Sequence, residues 1–281
     1  MQFGQPYNFN KTSITKETST GADYFREPRL LEIYDKTKYY LQRYSKLDKR
    51  ENYLNEQQED FKNMINSVEK YEGYYIGRYE TGDDITHNYY HNNKGGFINP
   101  KIVRYNENIN YVTWYDSYKD LQRLSGKTDK YVETGMIFDT MWDYTLKWLN
   151  ETDTRSYEDI ATDSGTWGNY DNNSFKYKKS ANGTEYTKDV YSSGRIITGG
   201  ITEILYNGEI NNNSPTSSNN IFDIAGNVFE WTSSRYGANG RKQRGSYYYG
   251  NSSLNPARNA SSSDPNSNSG YYGVRAQLYI L

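Results

Sequence analysis

Thirty-two of the 281 residues are tyrosine, joined by nine phenylalanines and five tryptophans, while hydrophobic residues of all kinds make up only 34%. A mean hydropathy of −1.05 would by itself point to disorder. The aromatic residues reverse that reading. Each ring can bury roughly 150–250 Å², and a phenol can do so while its hydroxyl stays wet, so a core can be built from tyrosine bodies beneath a polar surface. The charges are balanced, 33 Lys and Arg against 35 Asp and Glu, which removes the basic footprint of a general nucleic-acid binder. The chain reads as folded, polar-surfaced and loop-rich. At roughly 150 residues per domain, it has the length of one large domain or of one domain with an extension.

Two absences narrow the chemistry. There is no cysteine, and histidine occurs only at His87 and His91. Disulfides, thiolate metal sites, a cysteine nucleophile and a three-histidine metal centre are excluded. No run of about 18 apolar residues offers a membrane span. The opening MQFGQPYNFNKTSIT shows neither the basic nor the apolar region of a secretory signal. No G-x-G-x-x-G, P-loop or G-x-S-x-G string occurs.

Along the chain, residues 1–27 are polar and without period. Leu30, Leu31, Ile33, Tyr34, Leu41, Tyr44 and Leu47 recur at spacings that allow a helix. Phe61, Met64, Ile65 and Val68 then fall at i, i+3, i+4 and i+7, which predicts an amphipathic helix stopped by Gly73. YYIGRYE at 74–80 alternates as a strand. A polar loop follows over 81–110. Thr113 is expected to cap a helix that turns Trp114, Tyr118 and Leu121 inward, with Gly126 ending it. Asp139 is expected to cap another that buries Trp142, Leu146 and Leu149. The organisation is thus an N-terminal arm and helical extension over 1–59 and a domain over 60–281. From about residue 151 periodicity fades into Gly-, Asn-, Ser- and Tyr-rich text, as in NNNSPTSSNN at 211–220. Such long irregular stretches are uncommon in a compact domain unless something specific packs them.

Three strings in that order carry a resemblance. They are YYIGRYETG at 74–82, NIFDIAGNVFEWTSS at 220–234, and RGSYYYG at 244–250 followed by PNSNSGYYGVRAQLYI at 265–280. They resemble the formylglycine-generating-enzyme (sulfatase-modifying factor) domain family, whose strings are F-x-I-G-x-Y-E-V-T, L-Y-D-M-x-G-N-V-W-E-W and R-G-G-S-W … G-F-R. The resemblance covers about 60–281 and implies an α+β C-type lectin-like fold of the formylglycine-generating-enzyme type. The two predicted helices at 113–126 and 139–150 sit where that family places its own.

The resemblance also implies a structural calcium, carried over onto the Asp223 side chain, the Gly226 and Val228 carbonyls and the Glu230 side chain, a mixed oxygen set of the kind a hard cation takes. Residue chemistry leaves a second reading open, in which Asp223 caps a turn and Glu230 pairs with an arginine such as Arg275. The family's copper chemistry is not implied. Its two metal-binding cysteines align with Tyr249 and Leu254, and Cu(I) selects soft thiolates. The iron of related sulfoxide synthases is held by three histidines, and THNYYHNNK offers His87 and His91 with Asn93 where an H-x3-H-x-E element has its Glu. Neither copper nor iron is expected, and no enzymatic activity. Glu72, Glu80, Asp116 and Asp143 are expected to face solvent or to pair with Lys and Arg.

What remains is a displayed surface. The segment from Arg244 to Arg275 is built from Tyr, Ser, Asn and Gly, the composition of adaptable binding loops. Tyr247, Tyr248, Tyr249, Asn251, Ser252, Asn255, Asn259, Asn266, Asn268, Tyr271 and Tyr272 are the candidate contacts. Some proteins of this fold are ligand-binders diversified by retroelements through mutation at template adenines, and asparagine codons altered that way yield Tyr, Ser, Asp or Gly. The expected function is non-enzymatic recognition of a protein or glycan on a cell surface, on a phage virion or a bacterial surface, with homo-oligomerisation or virion attachment through the extension. A structural or decoration role on such a particle and a divergent enzyme of the same fold are the alternatives.

Overall fold

The computed structural model describes residues 51–83, 100–101, 112–124, 131–178, 185–190, 217–219, 221–236 and 240–281. The expectations for residues 1–50, for His87 and His91, for Gly126 and for 211–216 lie outside these residues.

Helix α1 (Glu51–Tyr71) turns Phe61, Met64, Ile65 and Val68 into the core, as their spacing predicts, and all four are buried. The helix stops one residue earlier than expected: Glu72, ahead of Gly73, takes the left-handed conformation at φ 59° while its N–H still reaches the Val68 carbonyl at 2.8 Å. Short strands follow at β1 (Tyr75–Ile76), β2 (Gly82–Asp83) and β3 (Pro100–Lys101). Helix α2 (Trp114–Leu121) is capped by Thr113, whose hydroxyl accepts from the Asp116 N–H, and it buries Trp114, Tyr118 and Leu121. After β4 (Val132–Met136), α3 (Asp139–Glu151) and α4 (Tyr157–Ala161), the second half carries the hairpin β5 (Phe175–Lys178) and β6 (Glu185–Lys188), then β7 (Ser217–Ser218) and β8 (Ile221–Phe222), β9 (Phe229–Tyr236), β10 (Gly240–Arg244), β11 (Ala260–Ser263), β12 (Tyr272–Val274) and β13 (Ala276–Ile280).

Two sheets organise the site. One has the order β1-β13-β4 and the other β11-β10-β9-β12. All pairings in them are antiparallel except β12 on β9, which is parallel. β12 belongs to one sheet and β13 to the other, and only Arg275 lies between them. The chain therefore passes from one sheet to the other at a single residue. β1 is shorter than the expected 74–80 strand, since the ladder reaches only Ile76. Beyond it the chain keeps touching the final strands through the Gly77 N–H on the Ala276 carbonyl at 2.7 Å and the Thr81 N–H on the Val274 carbonyl at 2.9 Å.

The core is aromatic, as the composition requires. Trp114, Trp142, Trp167 and Trp231 are among the largest fully buried side chains. A buried indole N–H needs an acceptor, and each finds a backbone carbonyl: Thr232 at 2.7 Å, Ala257 at 3.4 Å, Asp159 at 3.0 Å and Val112 at 3.0 Å, respectively. Trp142, Leu146 and Leu149 of α3 are buried as expected.

The expected cap of α3 is not formed. Phe138 occupies the cap position without a side-chain bond, and Asp139 lies inside the first turn. Its carboxylate is taken by β10 instead, accepting from Lys242 Nζ at 2.5 Å and Arg244 Nη1 at 3.2 Å. Burial works against that charge, yet Arg244 and Lys242 hold the Asp139 carboxyl below its usual range. Two cations contribute more to a buried carboxylate than the single N–H an N-cap offers. Asp143, one turn on, pairs with Arg244 as expected; Asp116 accepts from the Thr113 hydroxyl at 2.7 Å.

One carboxylate of α1 is placed against its own charge. Asp60 is half-buried and accepts from the Tyr118 hydroxyl and, at 3.4 Å, from Gln122 Nε2. Burial, with Glu133 adding its field, pushes its pKa up to about 7. A folded-state pKa above the unfolded one stabilises the fold at low pH, and that contribution is lost as pH rises through about 7. Asp60→Asn is expected to keep the Tyr118 bond and to flatten the decline in stability between pH 5 and pH 8.5, gaining about 1–3 kcal/mol over the parent at the alkaline end. Thermal or urea melts across that range check it; an unchanged slope contradicts the assignment.

Candidate functional site

The DIAGNVF turn is the local device on which the site rests. Gly226 at φ 71° and Asn227 at φ 59° are both left-handed, as expected of this pair, and Asp223 joins them at φ 58°. A Cβ on Gly226 would lie 2.1 Å from the Asn169 carbonyl oxygen, so the close approach of the two chains requires glycine. Asn169 and Asn227 lock that approach. The Asn227 N–H donates to the Asn169 carbonyl at 3.0 Å, and the Asn169 N–H donates to the Ala225 carbonyl at 3.1 Å. The Asn169 amide donates to Asn227 Oδ1 at 3.0 Å, and the Asn227 amide donates to Glu80 Oε2 at 2.7 Å. Glu80 is thus fully buried, although its sequence context reads as surface.

Beside the turn stands a second buried polar group. Arg275 Nε donates to both oxygens of Glu230, at 3.1 and 3.0 Å, and Nη2 reaches Oε1 at 2.6 Å. The remaining donors bond the Gly77 carbonyl at 2.9 Å and the Phe222 carbonyl at 2.8 Å. Burial opposes the charge on Arg275, but Glu230, with Glu80 and Asp223 nearby, holds the guanidinium protonated.

This geometry bears on the calcium set Asp223, Gly226, Val228 and Glu230. The guanidinium covers the Glu230 carboxylate, and a cation seated there would meet a fixed positive charge in a desolvated site, where like charges repel strongly. Of the two readings of Glu230, the pairing with Arg275 is the one the geometry supports.

The tyrosine loop is fastened to this frame. The Tyr248 N–H donates to the Asn227 carbonyl and the Gly250 N–H to the Tyr247 carbonyl, each at 2.8 Å. The Tyr247 ring stacks on Phe229 at 5.0 Å and meets Tyr271 at 4.9 Å and 54°. Tyr271 also meets Tyr248 at 5.6 Å and 53°. Tyr249 and Tyr271 are 41% and 38% exposed, and Tyr247 and Tyr248 are half-buried. Burial raises the Tyr247 pKa, and the neighbouring Tyr271, Asp171, Tyr249 and Tyr272 raise it further.

The remaining candidates divide. Tyr272 turns its ring onto Trp231 at 5.0 Å and shares a 2.8 Å hydrogen bond with Ser263, so it belongs to the frame. Ser252 is buried, its N–H donating to Asn172 Oδ1 at 2.8 Å and its hydroxyl accepting from Asn172 Nδ2 at 2.9 Å. Asn251 accepts from the Ser253 and Leu254 N–H groups within its own turn. Asn259 donates to Asn255 at 3.1 Å, and Asn266 bonds Asp264 at 2.8 and 3.0 Å. Asn268 is exposed. Most of these asparagines therefore shape turns, while the tyrosines supply the surface.

Sequence reading missed the partner loop. Residues 163–173 lie beside the tyrosines, with the Asp171 N–H on the Gly250 carbonyl at 3.0 Å. Asn173 holds this loop by donating to the Gly165 and Gly168 carbonyls at 2.8 and 2.6 Å. The turn-rich string GTWGNYDNN at 165–173 was its only visible signal.

No protein-family model and no curated protein matches the chain. Among solved structures it is similar to CarF, at 13% identity and a TM-score of 0.42, over 74% of this chain and 86% of that one. It is similar to Treponema denticola variable protein 1 at the same identity and TM-score, over 74% of this chain and 85% of that one.

If Glu230 serves Arg275, removing calcium leaves the protein untouched. The melting temperature is expected to be the same with and without excess EDTA, whereas Glu230→Gln destabilises by about 3–5 kcal/mol, the cost of leaving a buried charge unpaired. A chelator-induced drop in the parent protein would contradict this assignment.

Proposed function

We propose that this protein is a recognition protein of C-type lectin-like architecture that binds a protein or glycan on a cell surface through the tyrosine face of the 244–275 segment, performing no chemistry on its ligand. The observation that carries the reading is the meeting of Tyr247, Tyr248 and Tyr271 at the surface, on a frame whose bonds are made inside the protein. Rigid aromatic side chains give contact area at low entropic cost, and their hydroxyls add hydrogen bonds. Such residues dominate binding energy where they cluster. The order of a short strand, two helices and a loop-rich second half, with helices at Trp114–Leu121 and Asp139–Glu151, agrees with the architecture that the three strings resemble. The chain holds no cysteine, so the copper site of the formylglycine-generating enzymes has no ligands here.

The reading extends to the origin of the surface. Tyr249 and Tyr271 are exposed, and replacing residues of that kind costs the fold little. A retroelement that rewrites template adenines would generate this Tyr, Asn and Ser mixture on a frame that tolerates it. The DNA around the gene is expected to hold a near-copy of the 244–275 coding segment differing only at adenines, beside a reverse transcriptase gene; without such a copy the surface is a fixed one.

Binding is tested on glycan arrays and on intact bacterial cells with the labelled protein. The double substitution Tyr249→Ala and Tyr271→Ala is expected to lower binding about tenfold or more with the melting temperature nearly unchanged. Binding that survives both substitutions would place the ligand elsewhere on the molecule.

A further inference from the structure

Resting on that reading, we infer that the anchor recognised by the tyrosine face is a cationic side chain, an arginine or lysine of a partner protein, held against the rings of Tyr247, Tyr248 and Tyr271 beside the Asp171 carboxylate.

Three observations combine. First, the rings do not lie in one plane. Tyr271 is inclined at 54° to Tyr247 and at 53° to Tyr248, with centroids 4.9 and 5.6 Å away, so the clustered phenols turn their faces in different directions. Flat recognition of a sugar face wants one open ring; inclined rings let several negative π-faces converge on one cation. Second, Asp171 stands at the same place, its backbone bonded to Gly250 immediately after the three consecutive tyrosines. Third, the segment from Gly245 to Leu281 carries only two basic residues, Arg258 and Arg275, and Arg275 is fully buried on Glu230. Burial is the main reason Tyr247 resists ionisation, and the charge of Asp171 adds to it, which places that charge close to the cluster. A face made of π-clouds and a carboxylate is complementary to positive charge, and complementarity of that kind gives specificity and association rate more than raw affinity.

The test uses the whole protein and two small probes of equal shape. N-acetyl-arginine methylamide carries the guanidinium, and N-acetyl-citrulline methylamide is its neutral counterpart. Aromatic NMR signals of Tyr247, Tyr248 and Tyr271 are followed during titration. The arginine probe is expected to shift these signals and to bind about threefold to fivefold more tightly than citrulline, the factor that one exposed cation–π contact supplies. Tyr271→Leu abolishes that preference and the conservative Tyr271→Phe, which keeps the π-face, restores it. Asp171→Asn reduces it and weakens its salt dependence. Equal response to the two probes overturns the inference. In that case a neutral oligosaccharide, maltotriose, that moves the same signals leaves the binding surface standing with a glycan as its ligand, whereas silence from every probe, together with cell binding that survives the tyrosine substitutions, removes the surface as well.

Discussion

Arg275 lies between the last two strands with its guanidinium wholly inside the protein, and five hydrogen bonds run from it to Glu230, Gly77 and Phe222. β12, just before it, pairs with β9; β13, just after it, pairs with β1 and β4. One charged side chain thus sits where the chain passes from one sheet to the other and ties both to the β8 segment. A buried ion pair of this kind contributes little net stability compared with apolar residues of the same shape, because desolvation offsets the attraction. Its value lies in geometry. Any arrangement that displaces Gly77, Phe222 or Glu230 by an ångström leaves a desolvated charge without its partners, so wrong packings are penalised far more than the right one is rewarded.

The chain of amides from Glu80 through Asn227 to Asn169 extends this control to the surface. Asn227 belongs to a turn that only its own left-handed backbone and Gly226 can make, and its carbonyl is the acceptor for Tyr248. The tyrosine loop therefore inherits its position from buried groups rather than from contacts among its exposed residues. Hydrogen bonds made away from water, as these are, rigidify the groups that they join. A loop surface held from beneath can change its outer side chains while its backbone stays in place, which is what a binding face with replaceable contacts requires.

How much of this is legible in the sequence follows from distance along the chain. Phe61, Met64, Ile65 and Val68, Trp142, Leu146 and Leu149, the Thr113 cap and the left-handed Gly226 and Asn227 are all local, decided by periods and conformational preferences within a turn or two. Asp139 shows where local rules fail: its position is that of a helix cap, but Arg244 lies 105 residues away in sequence and Lys242 103, and their charges take the carboxylate. Glu80 reads as surface because its buried partner Asn227 is 147 residues on. For Glu230 the sequence left a calcium ligand and an arginine partner equally open, and only the fold brings Arg275 to it. Within the loops, composition marked the segment correctly but could not separate Ser252, which is buried on Asn172, from Tyr249 and Tyr271, which are exposed.

The central claim is that the tyrosine face is a rigid surface fixed by the buried frame. Native-state amide hydrogen exchange tests it most directly. The account predicts that the amides of Phe229 and Tyr248, bonded to the Tyr271 and Asn227 carbonyls, exchange as slowly as that of Trp231 in the centre of its sheet, while the exposed Asn268 exchanges orders of magnitude faster. If Tyr248 exchanges at the rate of Asn268, the loop is not held by the frame and the account is wrong.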